Sequence, residues 1–169
     1  DIDYDEYWRR RGWHLSTSLK PREDIMLGLI SAGATVADVG CGNTLLPVKL
    51  KEKGCLVTVA DISNIVLEQY RALGLKALTV DLEKPETLKL PEPVDYIILS
   101  EVLEHLRNPE EVIRALAPQT MYFLITVPNS AAYQFRYGLM FRGRFCTQWL
   151  HHPSEHLRYW SHIDFLDWL

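Results

Sequence analysis

The stretch that decides the fold is Val36-Ala37-Asp38-Val39-Gly40-Cys41-Gly42-Asn43-Thr44, in which an apolar strand runs into a glycine-rich turn that opens a helix. Gly40 and Gly42 can take backbone angles that are closed to other residues, and they place no side chain between the main chain and a ligand. The N-terminus of the following helix offers free N–H groups. This arrangement predicts the binding site of a nucleotide-like cofactor.

The turn departs from the dinucleotide-binding fingerprint G-x-G-x-x-G, which would place its third glycine at Leu45. Asp38 lies just before the turn, where its carboxylate would repel a pyrophosphate but could pair with an ammonium group. That preference favours a nucleoside that carries an amino acid, and S-adenosylmethionine fits this description. A nucleotide-dependent oxidoreductase is the disfavoured alternative, because the last glycine is absent.

Four segments resemble, in the same order, the motifs of class I S-adenosylmethionine-dependent methyltransferases. Residues 38–42 resemble the first motif, residues 57–63 the second strand with its ribose-binding acid, and residues 78–82 the third strand with its adenine-contacting pair. Residues 94–106 resemble the fourth strand and the turn under the transferred methyl group. The resemblance implies that the cofactor is held by Asp38, Gly40, Cys41, Gly42, Asn43, Asp61, Ile62, Asp81, Leu82, Ser100 and Glu101.

Within this superfamily the chain resembles the methyltransferase type 11/12 group. Its second half, through residues 123–129, 136–137, 143–144 and 156–161, is similar to MetW-type methionine-biosynthesis proteins. Residues 101–106 look more like the ubiquinone-type O-methyltransferases. The resemblance implies either direct methyl transfer to O, N or C of a small anionic metabolite, or a MetW-like, cofactor-binding partner of a biosynthetic enzyme with little catalysis of its own.

Short apolar runs rich in β-branched residues alternate with helical stretches. The runs typical of buried parallel strands lie at 36–39, 56–60, 77–80, 94–99 and 121–127. This alternation predicts one α/β domain over residues 1–169, with a doubly wound, Rossmann-like, mostly parallel sheet of about five strands. The two antiparallel C-terminal strands of the resembled family are missing, so the fifth strand would be an edge. We therefore expect a fragment of a longer protein, a homodimer, or cover from residues 131–160.

Composition limits the classes of protein that this chain could represent. Its 169 residues, 47% hydrophobic, can form a substantial core, and three cysteines without metal-ligand spacing favour a reducing, cytoplasmic location. No apolar run approaches the roughly 18 residues that span a bilayer, and the acidic first residues are unlike a signal peptide, so no membrane association is expected. The net charge of −4 argues against a general nucleic-acid binder.

Glu101 and His105 are four residues apart, so they would share one face if the turn after the fourth strand were helical. Both would then lie beside the transferred methyl group, while Val102, Leu103 and Leu106 point to the core. Histidine titrates near neutrality and could act as the general base for a hydroxyl acceptor. His105 is therefore the predicted catalytic residue, and a solvated ion pair with Glu101 is the alternative.

Residues 131–160 are basic and aromatic in a chain of net negative charge. They predict an acceptor-side insertion that binds a carboxylate or phosphate through Arg144, Arg158 and His156. A lid helix with solvated arginines and a single-stranded nucleic-acid site are the alternatives, the latter less favoured because the segment is short. Residues 152–156 match the zinc-protease pattern H-x-x-E-H, but Pro153 lies inside the helix that this pattern requires, so no metal is predicted.

Tyr4, Tyr7 and Trp8 have the i, i+3, i+4 spacing of a short amphipathic helix. We expect the N-terminal residues 1–20 either to cover the sheet or to close over the cofactor as a lid, as the corresponding segment does in similar methyltransferases.

Overall fold

Five parallel strands form one sheet in the order β3-β2-β1-β4-β5 in the computed structural model, which describes residues 3–143 and 156–169. The strands are β1 (Thr35–Val39), β2 (Leu56–Asp61), β3 (Lys76–Thr79), β4 (Val94–Ser100) and β5 (Thr120–Thr126). The helices are α1 (Tyr4–Arg11), α2 (Pro21–Leu29), α3 (Leu46–Glu52), α4 (Asn64–Ala72), α5 (Pro109–Leu116), α6 (Tyr133–Arg142) and α7 (His162–Trp168). Single 3₁₀ turns lie at Pro85–Thr87, Leu103–His105 and Ala117–Gln119.

The central strands are apolar on both faces because helices cover both sides of the sheet. In β1, Val36 lies opposite Val57 of β2 and Tyr96 of β4. Ile98 faces a core formed with α2, α3 and α4, whereas Ile97 faces a second core that contains residues of α5 and α7. The five predicted strands are confirmed, and two-sided burial holds for the central strands but not for β3 and β5 at the two edges of the sheet.

Local sequence signals set the helix boundaries. Ser63 caps α4 by accepting a hydrogen bond from the Val66 N–H at 3.5 Å, and Gly74 follows the end of that helix with φ +73°. Pro109 opens α5, and Ser161 forms a capping box with Asp164 at the start of α7.

The strand order reverses between β1 and β4, because the chain first builds outward through β2 and β3 and then returns to the other side of β1. Such a switch point opens a crevice at the carboxyl ends of the strands. The predicted doubly wound α/β class is confirmed, and the crevice is where the glycine-rich turn lies.

β5 is an edge strand, since among the described residues it pairs with β4 alone. Trp160 and α7 belong to the same apolar cluster as Phe123, so the chain itself covers one face of this strand. Met121 and Tyr122 at its start remain 71% and 56% exposed. The predicted homodimer stays a prediction, as does cover from residues 131–160, of which 144–155 lie outside the described residues.

Candidate active site

A cavity of about 520 Å³ opens at the carboxyl ends of β1, β2 and β4. Tyr4, Tyr7 and Trp8 of α1 line one part of it, so residues 4–11 lie where a lid would close. The predicted catalytic residue, His105, also lines the cavity. So do all the predicted cofactor residues: Asp38, Gly40, Cys41, Gly42, Asn43, Asp61, Ile62, Asp81, Leu82, Ser100 and Glu101.

The turn after β1 requires glycine at two positions. Gly40 has φ +74°, and a Cβ there would lie 2.7 Å from Val102 Cγ2, closer than two carbon atoms can approach. Gly42 has φ +53°, and a Cβ there would lie 3.5 Å from the Trp8 ring. The turn therefore leaves bare backbone facing the cavity, as a bound nucleoside requires.

Asp61 ends β2 with both carboxylate oxygens held by backbone groups. Oδ2 accepts a hydrogen bond from the Gly42 N–H at 3.0 Å, and Oδ1 accepts one from the Ser63 N–H at 2.9 Å. The side chain is buried, and burial raises its pKa against the opposing effect of these hydrogen bonds. An acid fixed in this way at the end of the second strand has the place of a ribose-binding carboxylate.

Asp38 is 2% exposed, and its Oδ2 has no hydrogen-bond partner among the described residues. Burial, followed by the neighbouring Glu23 and Asp61 carboxylates, raises the pKa of Asp38 to about 7. Glu23 is also buried, and it accepts the Lys20 backbone N–H at 2.9 Å. A buried carboxyl with an unused oxygen fits an ammonium ligand, so this side of the cavity suits the amino-acid end of S-adenosylmethionine.

Two cations of the cavity, Lys20 before α2 and Arg22 within it, were not among the predicted site residues. Arg22 Nε donates to Ser100 Oγ at 3.3 Å across 78 residues of sequence, and Lys20 lines the same cavity. Residues 21–24 have the composition of an ordinary helix start, with proline first and acids in the first turn. Nothing in that local pattern indicates that Arg22 reaches the end of β4 or that Glu23 lies near Asp38.

Asp81 lines the cavity beside Leu82, but local groups hold its carboxylate. Oδ2 pairs with Lys84 Nζ at 2.8 Å, and Oδ1 accepts the Glu83 N–H at 3.1 Å. The hydrogen bond from Lys84 is the main reason why the pKa of Asp81 is lowered. The adenine-contacting role of Asp81 stays a prediction.

The turn after β4 differs from the helical turn that would place Glu101 and His105 on one face. Glu101 has φ +58°, a left-handed conformation that is strained for a residue with a Cβ, and its N–H donates to Thr126 O at 2.9 Å. The 3₁₀ turn begins only at Leu103, which is buried together with Val102 as expected. Glu101 and His105 both line the cavity, but they do so from different backbone conformations.

Glu104 lies against His105, and it was not among the predicted site residues. Its carboxyl is 1% exposed, has no hydrogen-bond partner among the described residues, and lies 3.9 Å from His105 Nε2. Burial raises the pKa of Glu104 to about 8. His156 packs edge-on against His105, with ring centroids 4.8 Å apart. One ligand-type atom from each of these three residues lies within 4.8 Å of the others, a grouping that the motif at 152–156 did not predict.

The three predicted acceptor residues end up in different places. His156 meets His105, as described above. Arg158 does not line the cavity, because its guanidinium donates to Arg107 O at 2.6 Å and lies 3.7 Å from Glu110 Oε2 at the start of α5. Arg144 lies outside the described residues. The prediction that Arg158 faces the acceptor is therefore not supported by its position.

The fold and the cavity together define a nucleoside-binding α/β domain of the class I methyltransferase type. The family model of the methyltransferase domain matches residues 7–169, and the chain belongs to this family. The predicted class, and S-adenosylmethionine as its cofactor, are confirmed at this level.

Curated relatives include ubiquinone biosynthesis O-methyltransferases. The one from Paracidovorax citrulli is 30% identical over 139 residues, covering 72% of this chain and 58% of the relative. The one from Pseudomonas paraeruginosa is 32% identical over 145 residues, covering 74% of this chain and 62% of the relative. The chain thus spans about 60% of the length of these relatives. The closer resemblance to MetW-type proteins is not shown by them.

Solved structures support the same class. Coclaurine N-methyltransferase, solved with N-methylheliamine and SAH (S-adenosylhomocysteine), is 26% identical with a TM-score of 0.51, over 65% of this chain and 37% of that protein. YcgJ from Bacillus subtilis, at 15% identity, shows the fold alone, with a TM-score of 0.63 over 86% of this chain and 64% of that protein. No helix among the described residues has the length and apolarity to cross a membrane.

Proposed function

We propose that this domain transfers a methyl group from S-adenosylmethionine to a small, anionic acceptor by direct displacement. The observation that carries the proposal is the pairing of two buried acids in one cavity, Asp61 with both oxygens held by backbone and Asp38 with one oxygen unused. A dinucleotide would present a pyrophosphate to Asp38, which the charge of that side chain disfavours.

On the donor side, charged side chains of the cavity bind separate parts of the cofactor. Asp61 accepts the ribose hydroxyls and Asp38 binds the ammonium group. Arg22 and Lys20 are available to the carboxylate, and Arg11 is a further cation of the same lining. Bound S-adenosylmethionine supplies a methyl group that its sulfonium already activates, so no protein nucleophile is required. The chain contributes alignment of donor and acceptor in a cleft shielded from water.

On the acceptor side, His105 accepts the proton of the attacking hydroxyl, and the buried Glu104 carboxyl lies 3.9 Å from its Nε2. The names of the curated relatives support oxygen as the acceptor atom. Arg22, next to Ser100 at the end of β4, is the described cation that could hold an anionic acceptor instead of the donor carboxylate. A cytoplasmic location belongs to this proposal and depends on the cysteine content alone.

The test is calorimetry followed by a methyl-transfer screen. We expect the protein to bind S-adenosylmethionine and S-adenosylhomocysteine but not NAD, and to transfer radiolabel to at least one hydroxylated carboxylate. Binding of NAD instead would contradict the proposal. Donor binding without transfer to any acceptor would favour the cofactor-binding partner of a biosynthetic enzyme. Each assay is repeated with EDTA, because loss of transfer under chelation would assign a metal to Glu104, His105 and His156.

A further inference from the structure

Helix α1 lies against the cavity through its aromatic side chains, and Trp8 also packs on the core. None of its residues is fully buried, and its first turn is acidic while its last turn carries Arg9, Arg10 and Arg11. A helix of eight residues is marginal on its own, so its contacts with the rest of the domain hold it in place.

One such contact joins α1 to the start of α4. Asp5 Oδ1 accepts a hydrogen bond from Ser63 Oγ at 2.6 Å and a longer one from the Ile65 N–H at 3.4 Å. Ser63 is 1% exposed, and its hydrogen bond is the first cause of the lowered pKa of Asp5. The carboxylate therefore lies at the N-terminus of α4, where negative charge is favoured.

Ser63 is also the residue that holds Asp61. Its backbone N–H donates to Asp61 Oδ1 at 2.9 Å, while its hydroxyl donates to Asp5 Oδ1. On the other side of Asp61, Oδ2 binds the Gly42 N–H, and the Trp8 ring of α1 lies over Gly42. The helix thus contacts both of the residues whose backbone N–H groups hold this acid.

We infer that Asp5 is a positioning residue for cofactor binding, holding α1 closed over the donor through the hydroxyl of Ser63. The inference rests on the proposed function, because it takes Asp61 as the ribose acid. Closure sets Trp8 over the glycine turn and Tyr7 against the cavity, so the bond between Asp5 and Ser63 couples the closed helix to the occupied site.

The experiment compares Asp5→Ala with Glu6→Ala, which removes a neighbouring carboxylate from the same turn but one that bonds only to Arg9 and Arg10 among the described contacts. The affinity for S-adenosylhomocysteine is measured by calorimetry, and exchange of the α1 amides is followed with and without it. We expect Asp5→Ala to raise Kd about tenfold and to abolish the protection of α1 on binding, with Glu6→Ala within about twofold of wild type.

The double variant Asp5→Ala/Ser63→Ala completes a cycle, and it should bind no more weakly than Ser63→Ala alone. Asp5→Asn, which keeps an acceptor oxygen without the charge, should fall between Asp5→Ala and wild type. Equal weakening by Asp5→Ala and Glu6→Ala, an additive cycle, or an unchanged Kd in Asp5→Ala would overturn the inference. A wild-type protein that does not bind S-adenosylhomocysteine would instead overturn the proposed function.

Discussion

The donor side of the cavity and its acceptor side are built in different ways. On the donor side, Asp38, the glycine turn and Asp61 lie at the ends of two adjacent strands, and backbone N–H groups hold both carboxylate oxygens of Asp61. On the acceptor side, His105 follows a strained turn and meets His156, which arrives from the far end of the chain.

This difference indicates which contacts can change when the acceptor specificity changes. The sheet itself places the residues at the carboxyl ends of its strands and the backbone N–H groups beside them. Contacts made by these groups therefore suit a cofactor that many enzymes share. Acceptor contacts made by side chains from separate segments can change without disturbing the sheet. Both sides also contain buried acids whose pKa burial raises: Asp38 and Asp61 on the donor side, and Glu104 on the acceptor side. Variants of these groups test whether the two sides act separately.

The largest expected effect is on the acceptor side. His105→Ala should lower kcat by about 100-fold with the Kd of S-adenosylmethionine nearly unchanged, because a general base acts mainly in the transition state. Single-turnover transfer and calorimetry measure the two quantities. His162→Ala, at the exposed start of α7, is the matched control. Wild-type turnover in His105→Ala would make this residue structural.

Replacing the acid of the acceptor side should change how stability depends on pH. Since burial raises the folded pKa of Glu104 from 4.5 to about 8, the folded state holds this proton more tightly, and stability is lost as pH rises from about 4.5 to about 8. Glu104→Gln should remove this contribution, so that its stability relative to wild type rises by about 4 kcal/mol between pH 4.5 and pH 8. Urea unfolding at pH 5, 6.5 and 8 measures the free energy of unfolding of both proteins. The same pH dependence in wild type and variant would contradict the prediction.

On the donor side, Asp61→Ala should raise the Kd of S-adenosylmethionine by roughly tenfold or more, because charge-assisted hydrogen bonds to the ribose are lost. Asp24→Ala, an exposed acid of α2, serves as the control. Circular dichroism should show the same fold in both variants. An unchanged dissociation constant would show that Asp61 does not contact the cofactor.

Affinity for the donor should also depend on pH through Asp38. Because burial raises the pKa of this carboxyl to about 7, its charged form grows between pH 6 and pH 8, and binding of an ammonium group should tighten by up to about tenfold over that range. Asp38→Asn should bind weakly at both pH values. If the Kd of the wild-type protein for S-adenosylmethionine did not change between pH 6 and pH 8, Asp38 would not be the partner of the ammonium group.

The smallest effect is expected for Arg158→Gln. Its guanidinium is engaged by Arg107 O and Glu110, so the acceptor KM should change by less than about twofold. Arg22→Gln, at the end of β4, is the informative comparison, since it should weaken binding of an anion. A large rise in KM for Arg158→Gln would show that this side chain turns toward the acceptor after all.

Much of the fold could be predicted from local patterns. Short β-branched runs alternating with helices predict a parallel sheet, because the central strands bury both of their faces and several helices end at a glycine or begin at a capping residue. The residues proposed to hold the donor could be predicted as well, since Gly40 and Asp61 lie at strand ends. Arg22 could not be found this way, because it contacts Ser100, 78 residues away, and Glu104 could not, because its burial is set by the tertiary structure.

Windows of a few residues around each strand end were enough to predict the class of the domain, the order of its strands and helices, and the residues proposed to hold the donor. The distant partners of individual side chains were set by the tertiary structure alone: His156 packs against His105 and groups with Glu104, Arg158 pairs with Glu110 of α5, and Asp5 meets Ser63. The members of each of these pairs come from segments far apart in sequence, and no local pattern specifies which distant partner a charged or polar side chain will find.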